Sequence, residues 1–466
     1  MAKYFEKVTP ESCGVSSEDL IKMIEGMQEV PEKRETHGFM LIRHGKLLTE
    51  GWFTPYEEDS AHTIFSCSKT FTQLAIGFME QEGLVTIDDL VYKYFPDKEV
   101  IEYNKTLKIK DLLRMGTGHE GNNPELGKIL GCGDDKVQQF FLSPQVNNPP
   151  IFRYENNTSI VLSHLVSRLT GKDVIEYLTP RFIEPLGIDV VSYTKESEGI
   201  FTGYTGIRLK LEDVAKVGQF FLNGGVWDGK RLISEEWCKQ ATAKQIDAAV
   251  PSPGDWAQGY CWQMWRGNYN TSRICGANGQ GCVIAPDQDL VFAYFTGTDG
   301  DMLQPMIDNF YNNVFHKLSD EPLAENPEGN AKLEAKIKTL ELYDEFKPVS
   351  ERVRELDGKT FSFEKALSYD GVKLDFEGDV CKVTLSGDKT FSFEAGLKET
   401  KTTNVDNGDF VGVDVVDYSV FMASARFDED DKLVITARIF ETVTILKIEI
   451  DKENNAKIYT LRGRIG

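Results

Sequence analysis

The sequence predicts an α+β fold: an antiparallel sheet flanked by helices, followed by a small all-β, barrel-like domain. Three observations lead there. Strand-like alternation occurs at the two ends of the first 320 residues, with helical periodicity between them. That order suits one sheet built from an early hairpin and late strands. Beyond residue 346 the texture changes to short alternating runs broken by Gly, Asp and Asn, the pattern of a small barrel or sandwich. A length of 466 residues accommodates both units.

The elements follow in order. SEDLIKMIEGMQ (17–28) reads as an amphipathic helix with a serine cap. GFMLIRHGKLLTEGWF (38–53) reads as two strands joined at His44-Gly45. Over 66–82, Phe71, Leu74, Ala75, Phe78 and Met79 recur at helical spacing, and Gly83 supplies a stop. Helices and loops fill most of 86–200, including NTSIVLSHLVSRLTG (157–171), with an Asn cap and a Gly stop. GYCWQMWR (259–266) and GCVIAPDQDLVFAYFTG (281–297), the latter divided at PDQD, predict an antiparallel run, and a helix follows at about 302–317. The first domain is placed at 1–320. The polar, Pro-containing stretch 321–345 reads as a linker, and 346–466 as an accessory β domain.

Composition narrows the function. The net charge of −22 repels phosphate backbones and anionic lipid, so neither nucleic acid nor a membrane is an expected partner. No apolar run approaches the ~18 residues of a spanning helix, and MAKYFEKVTPESCG lacks the apolar core of a signal peptide. The eight cysteines are scattered, without CxxC pairs. Reduced thiols and a cytoplasmic location are therefore expected.

Three short motifs carry chemistry. In FSCSKTFTQL (65–74), Ser66 and Lys69 stand at i and i+3, on one helical face. A serine hydroxyl needs a base to become a nucleophile, and a lysine whose pKa is lowered by burial can be that base. The same spacing also suits a capping serine and a solvated lysine. In FRYENNTSI (152–160), Tyr154 and Asn156 form a YxN triplet. A tyrosine beside a buried amine can relay protons, and an asparagine amide can hold a carbonyl; taken alone, the triplet better suits a packing tyrosine and a helix cap. In ICGANGQGCVIAP (274–286), glycines at 276, 279 and 281 open a strand. They allow a substrate close to the backbone, or simply make a tight turn.

Order and separation decide among these alternatives. The succession SxxK, YxN, Gly-rich strand resembles the serine hydrolases related to penicillin-binding proteins and class C β-lactamases. HTIFSCSKTFTQLAIGFMEQEGLVTIDDLVYKYFPD (62–97), LKIKDLLRMGTGHEG (107–121), LKLEDVAKVGQFFLNGGVWDGKRLISEEWCKQAT (209–242) and GANGQGCVIAPDQDLVFAY (276–294) extend the likeness over about 10–320. The esterase/amidase branch, with its aminohexanoate-oligomer hydrolases, is the most similar. The resemblance implies a β-lactamase/transpeptidase-like fold. It implies Ser66 as nucleophile, Lys69 as base and Tyr154 as partner acid/base. Asn156 would be an auxiliary, substrate-binding polar group, the backbone of Ser66 and Ala277 would form the oxyanion hole, and Gly276 would let the substrate lie close. Neither metal nor other cofactor is implied, and the partner is a small ester, amide or short peptide. One departure matters: Ile274-Cys275-Gly276 stands where β-lactamases carry Lys-Thr-Gly. β-Lactam turnover is therefore expected to be weak or absent. Arg273 is expected on the opposite strand face, unable to compensate. The alternative is a silent scaffold that keeps the fold without turnover.

Other chemistry-bearing residues read as structural. His62 suits a buried polar contact. His119 lacks a second metal ligand at suitable spacing. Trp256, Trp262 and Trp265 suit core positions, and Cys67 suits packing. NVDNGDFVGVD (404–414) resembles a calcium loop only vaguely and reads as a turn.

Overall fold

The computed structural model describes the chain except residues 1–3, 29–33, 124, 149–150, 249–253, 299–302, 343–345, 347, 406–419 and 462–466. The 404–414 turn and the FVGVDVVD run lie mostly or wholly outside the described residues.

The early hairpin comprises strands Arg34–Arg43 and Lys46–Trp52. His44 (φ 53°) and Gly45 (φ 69°) make the turn, both left-handed, as a tight hairpin requires. The hairpin pairs with Leu290–Thr298, from Arg34 opposite Thr298 to Arg43 opposite Leu290. Gln280–Ala285, Ser272–Gly276 and Trp265–Arg266 extend the six-stranded antiparallel sheet in that order. Trp265–Arg266 is the only paired strand within GYCWQMWR; an isolated bridge at Tyr260 precedes it. Gln263, at φ 54°, turns the chain between them, so the expected long strand breaks there.

Side-chain alternation gives the sheet two cores. Met40 and Ile42 join Ala293 and Phe295 in one, with the central helices. Phe39 and Leu41 join Phe292 and Tyr294 in the other, with helices Ser17–Gln28 and Leu303–Asn313. Leu211–Leu222 lies against the first face. A β-carbon on its Gly218 would stand 2.9 Å from Cys282 Sγ. The segment expected as a linker differs from that reading. It carries helix Pro327–Ile337, started by an Asn326 cap and Pro327. Its Leu333 is buried in the second core, and Leu340 O accepts from Thr54 N–H at 3.1 Å. A polar sequence with one buried leucine per turn or two carries too weak an apolar stripe to announce a helix.

The C-terminal unit is a nearly closed, nine-stranded barrel-like sheet, from Thr360–Ala366 to Ala456–Leu461, whose end strands approach each other. Apolar side chains such as Val383, Phe393, Phe421 and Ile435 fill it. Its turn after Leu433–Ile439 docks on the first domain. Glu441 O accepts from Thr63 N–H at 3.0 Å. Phe440 stacks on Tyr56 with centroids 4.9 Å apart. The Arg438 guanidinium grips the Glu35 carboxylate at 3.0 and 3.3 Å.

Candidate active site

Ser66 does not begin the α-helix, as the sequence suggested. It sits in a 3-10 turn, Phe65–Ser68, and the α-helix proper runs Lys69–Gln81. Phe65 is held at φ 44°, a conformation that costs a non-glycine residue about 1–3 kcal/mol. This strain aims the half-buried Ser66 outward while Cys67 and Ser68 stay buried.

Lys69 occupies the first helical position and is buried, 1% exposed. Its Nζ stands 3.0 Å from Ser66 Oγ and 3.2 Å from Tyr204 O. The rings of Tyr154 and Tyr204 flank it, with centroids at 4.9 and 5.2 Å. Burial lowers its pKa to about 7, because an ammonium loses its hydration there. A neutral amine in this place donates to the Tyr204 carbonyl and keeps its lone pair for the Ser66 hydroxyl proton.

Tyr154 enters from the other wall, just before helix Asn156–Thr170. Its phenol hydrogen-bonds Ser66, and burial pushes its pKa up, so it stays protonated. Trp265 stacks against it, 5.8 Å between centroids and 10° between planes. The structure thus brings Ser66, Lys69 and Tyr154 together. Asn156 is the first helical residue; its N–H donates to Asn122 Oδ1 at 2.7 Å, while its own sheltered Oδ1 takes no hydrogen bond from the described residues.

Gly276 closes the third side. A β-carbon there would lie 2.3 Å from Ile64 O and 3.2 Å from Cys67 Sγ, so the strand presses on the turn that carries Ser66. Ala277 follows, exposed, in a tight turn with Asn278 (φ 59°) and Gly279 (φ 84°). Gly276→Ala is expected to lower kcat at least 10-fold, since even a small displacement of reacting groups is costly. Steady-state ester hydrolysis, normalised to folded protein, checks this.

The residues beside the glycine behave as strand alternation requires. Ile274 is buried in the core that holds Cys67. Arg273 is fully buried on the opposite side, 4.5 Å over Trp256 and 3.6 Å from Asp255. Cys275 packs against the core on that side.

Several readings of single residues sharpen. His62 is buried between the His37 and Phe295 rings, at 4.9 and 4.8 Å, and burial drives its pKa well down. Cys67 is buried, its Sγ 3.3 Å from Gln280 O and its pKa raised by burial; it is an inert thiol. Trp262 is core, against Trp237 at 4.6 Å, whereas Trp265 lines the site. Tyr204 was not foreseen: it acts through its carbonyl, which no motif announces. Among the described residues, no group of three or more His, Cys, Asp or Glu is placed to hold a metal, and no helix is long and apolar enough to cross a membrane.

The antiparallel sheet and the helices packed on it, with the turn that carries Ser66 closed over by the Gly276 strand, have the β-lactamase/transpeptidase-like fold. The chain belongs to the beta-lactamase family, whose model matches residues 24–311. It is similar to 6-aminohexanoate-dimer hydrolase of Paenarthrobacter ureafaciens, 22% identical over 59% of this chain and 76% of that one. Among solved structures, a candidate 6-aminohexanoate-dimer hydrolase from Bacillus anthracis superposes with a TM-score of 0.52 at 18% identity, over 67% of this chain and 87% of that one. EstCE1, a hydrolase with promiscuous acyltransferase activity, gives a TM-score of 0.52 at 15% identity, over 63% and 99%.

Proposed function

We propose that the protein is a serine hydrolase that cleaves a small ester or amide through an acyl-serine intermediate. The observation that carries this reading is the buried Lys69 amine, 3.0 Å from Ser66 Oγ, with its pKa lowered to about 7. Ser66 Oγ attacks the substrate carbonyl as its proton passes to Lys69 Nζ. Charge gathers on the carbonyl oxygen, where the N–H groups of Ser66 and Ala277 are the proposed donors. Tyr154 gives its phenolic proton to the leaving alcohol or amine and is reprotonated from Lys69. Water then attacks the acyl-serine, with the same groups exchanging protons in reverse. The Asn156 amide holds the substrate. The names of the relatives support amide and ester bonds as the substrate class.

Intact-protein mass after exposure to a fluorophosphonate tests the reading. One adduct on the wild-type protein and none on Ser66→Ala is expected; an unlabelled wild type with no p-nitrophenyl ester turnover would leave only a silent scaffold. A chromogenic cephalosporin should turn over slowly or not at all, because buried Ile274 offers nothing to a β-lactam carboxylate.

A further inference from the structure

His119 comes from the GTGHEGN loop and lies 1% exposed. Its partner Glu155, also 1% exposed, is the residue between Tyr154 and Asn156. His119 Nδ1 meets Glu155 Oε1 at 3.3 Å. Thr117 Oγ1 donates to Glu155 Oε2 at 3.0 Å. On the far side, His119 Nε2 stands 2.9 Å from Asn104 Oδ1. The orientation of that amide is fixed, because Asn104 Nδ2 donates to the carbonyls of Phe140, Phe141 and Ser143 at 3.2, 3.0 and 2.9 Å. Oδ1 can only accept, so Nε2 carries a hydrogen, and Nδ1 faces the Glu155 carboxylate.

The loop and the residue before it grip the backbone around the triplet. Met115 O accepts from Arg153 N–H at 3.2 Å, a β-carbon on Gly121 would stand 3.3 Å from Tyr154 O, and Asn122 holds Asn156 N–H. We propose that His119 is a positioning residue that sets Tyr154 through Glu155, while touching no substrate. A fully satisfied buried network fixes one geometry. Here it fixes the backbone on either side of Tyr154, which the exposed Arg153 side chain would not. The inference rests on the hydrolase reading above.

The test compares His119→Leu, His119→Asn and His119→Gln. Asparagine keeps a donor where Nδ1 stands, facing Glu155. Glutamine keeps one where Nε2 stands, facing Asn104. Leucine keeps neither. Fluorophosphonate labelling of Ser66 is followed to completion by intact mass, so the final amplitude counts folded sites and the rate constant reports how well Ser66, Lys69 and Tyr154 are aligned. Kinetics on a p-nitrophenyl ester give kcat and KM. His119→Leu should label to full amplitude but roughly 10- to 100-fold more slowly, with kcat lowered alike and KM little changed. His119→Asn should return to within about threefold of wild type, while His119→Gln stays slow. Wild-type rates in His119→Leu would overturn the inference. Should the leucine variant not fold, the other two decide, and equal rates for asparagine and glutamine overturn it. A wild-type protein that takes no label would instead remove the hydrolase reading itself.

Discussion

Lys69→Met is expected to lower kcat/KM by roughly 10²- to 10⁴-fold, the range a positioned general base contributes. The amine stands within hydrogen-bond reach of Ser66 Oγ, and methionine fills its volume without accepting a proton. In the wild-type protein the base must be neutral, so kcat/KM should rise with pH through about 7 and level above it. A stability change should accompany the loss of activity. Between about 7 and 10.5 the unfolded chain binds a proton at Lys69 that the folded chain does not, so wild-type stability rises with pH across that window. At and below neutrality the burial of this amine opposes folding by an amount on the order of a few kcal/mol. Lys69→Met should therefore unfold at a higher urea midpoint than wild type at pH 7, and the advantage should shrink towards pH 10. Equal midpoints at both pH values, or a variant that keeps its activity, would contradict the placement of a neutral lysine here.

The second large effect concerns the domain seam. Combining Arg438→Met with Phe440→Ala should cost roughly 3 kcal/mol or more. The Glu35 carboxylate, mostly sheltered beneath Arg438, would lose a bidentate partner. The Tyr56 ring would lose a stacked neighbour worth about 0.5–1.5 kcal/mol. Urea unfolding should then separate into two transitions, one for the first domain and one for the barrel. Activity should fall as well, about 10-fold, because Glu441 O binds the backbone of Thr63, three residues before Ser66. Ile64 N–H in turn donates to Ile207 O, in the stretch that delivers the Tyr204 carbonyl to Lys69. A single transition with unchanged kcat would show that the barrel is only an attachment.

Much of this arrangement was legible in the sequence because it rests on local signals. Ser66 and Lys69 lie one helical turn apart, and the glycines at 276, 279 and 281 advertise a close approach. The early hairpin and late strands show plain alternation, so the sheet that joins them follows from pattern alone. What escaped is what folding assembles from distance. Tyr204 contributes a carbonyl, which every residue has. Helix Pro327–Ile337 is too polar to show a stripe. Glu155 hid as the unspecified residue of YxN, and His119 looked like a ligand without a set, because its partners at 104 and 155 are brought to it by packing rather than by spacing. GYCWQMWR misled because aromatic residues favour strands wherever they occur, whereas the turn at Gln263 is set by its buried contacts with Ser159 and Leu112.

The seam at Thr63 and Glu441 also bears on how such proteins can be taken apart. A fragment cut before the barrel would present Tyr56 and the Glu35 carboxylate to water and leave the chain that leads into the Ser66 turn without its outer tether. Grafting the barrel onto another hydrolase, or lending this hydrolase a foreign one, therefore requires that both sides of the join travel as a matched set.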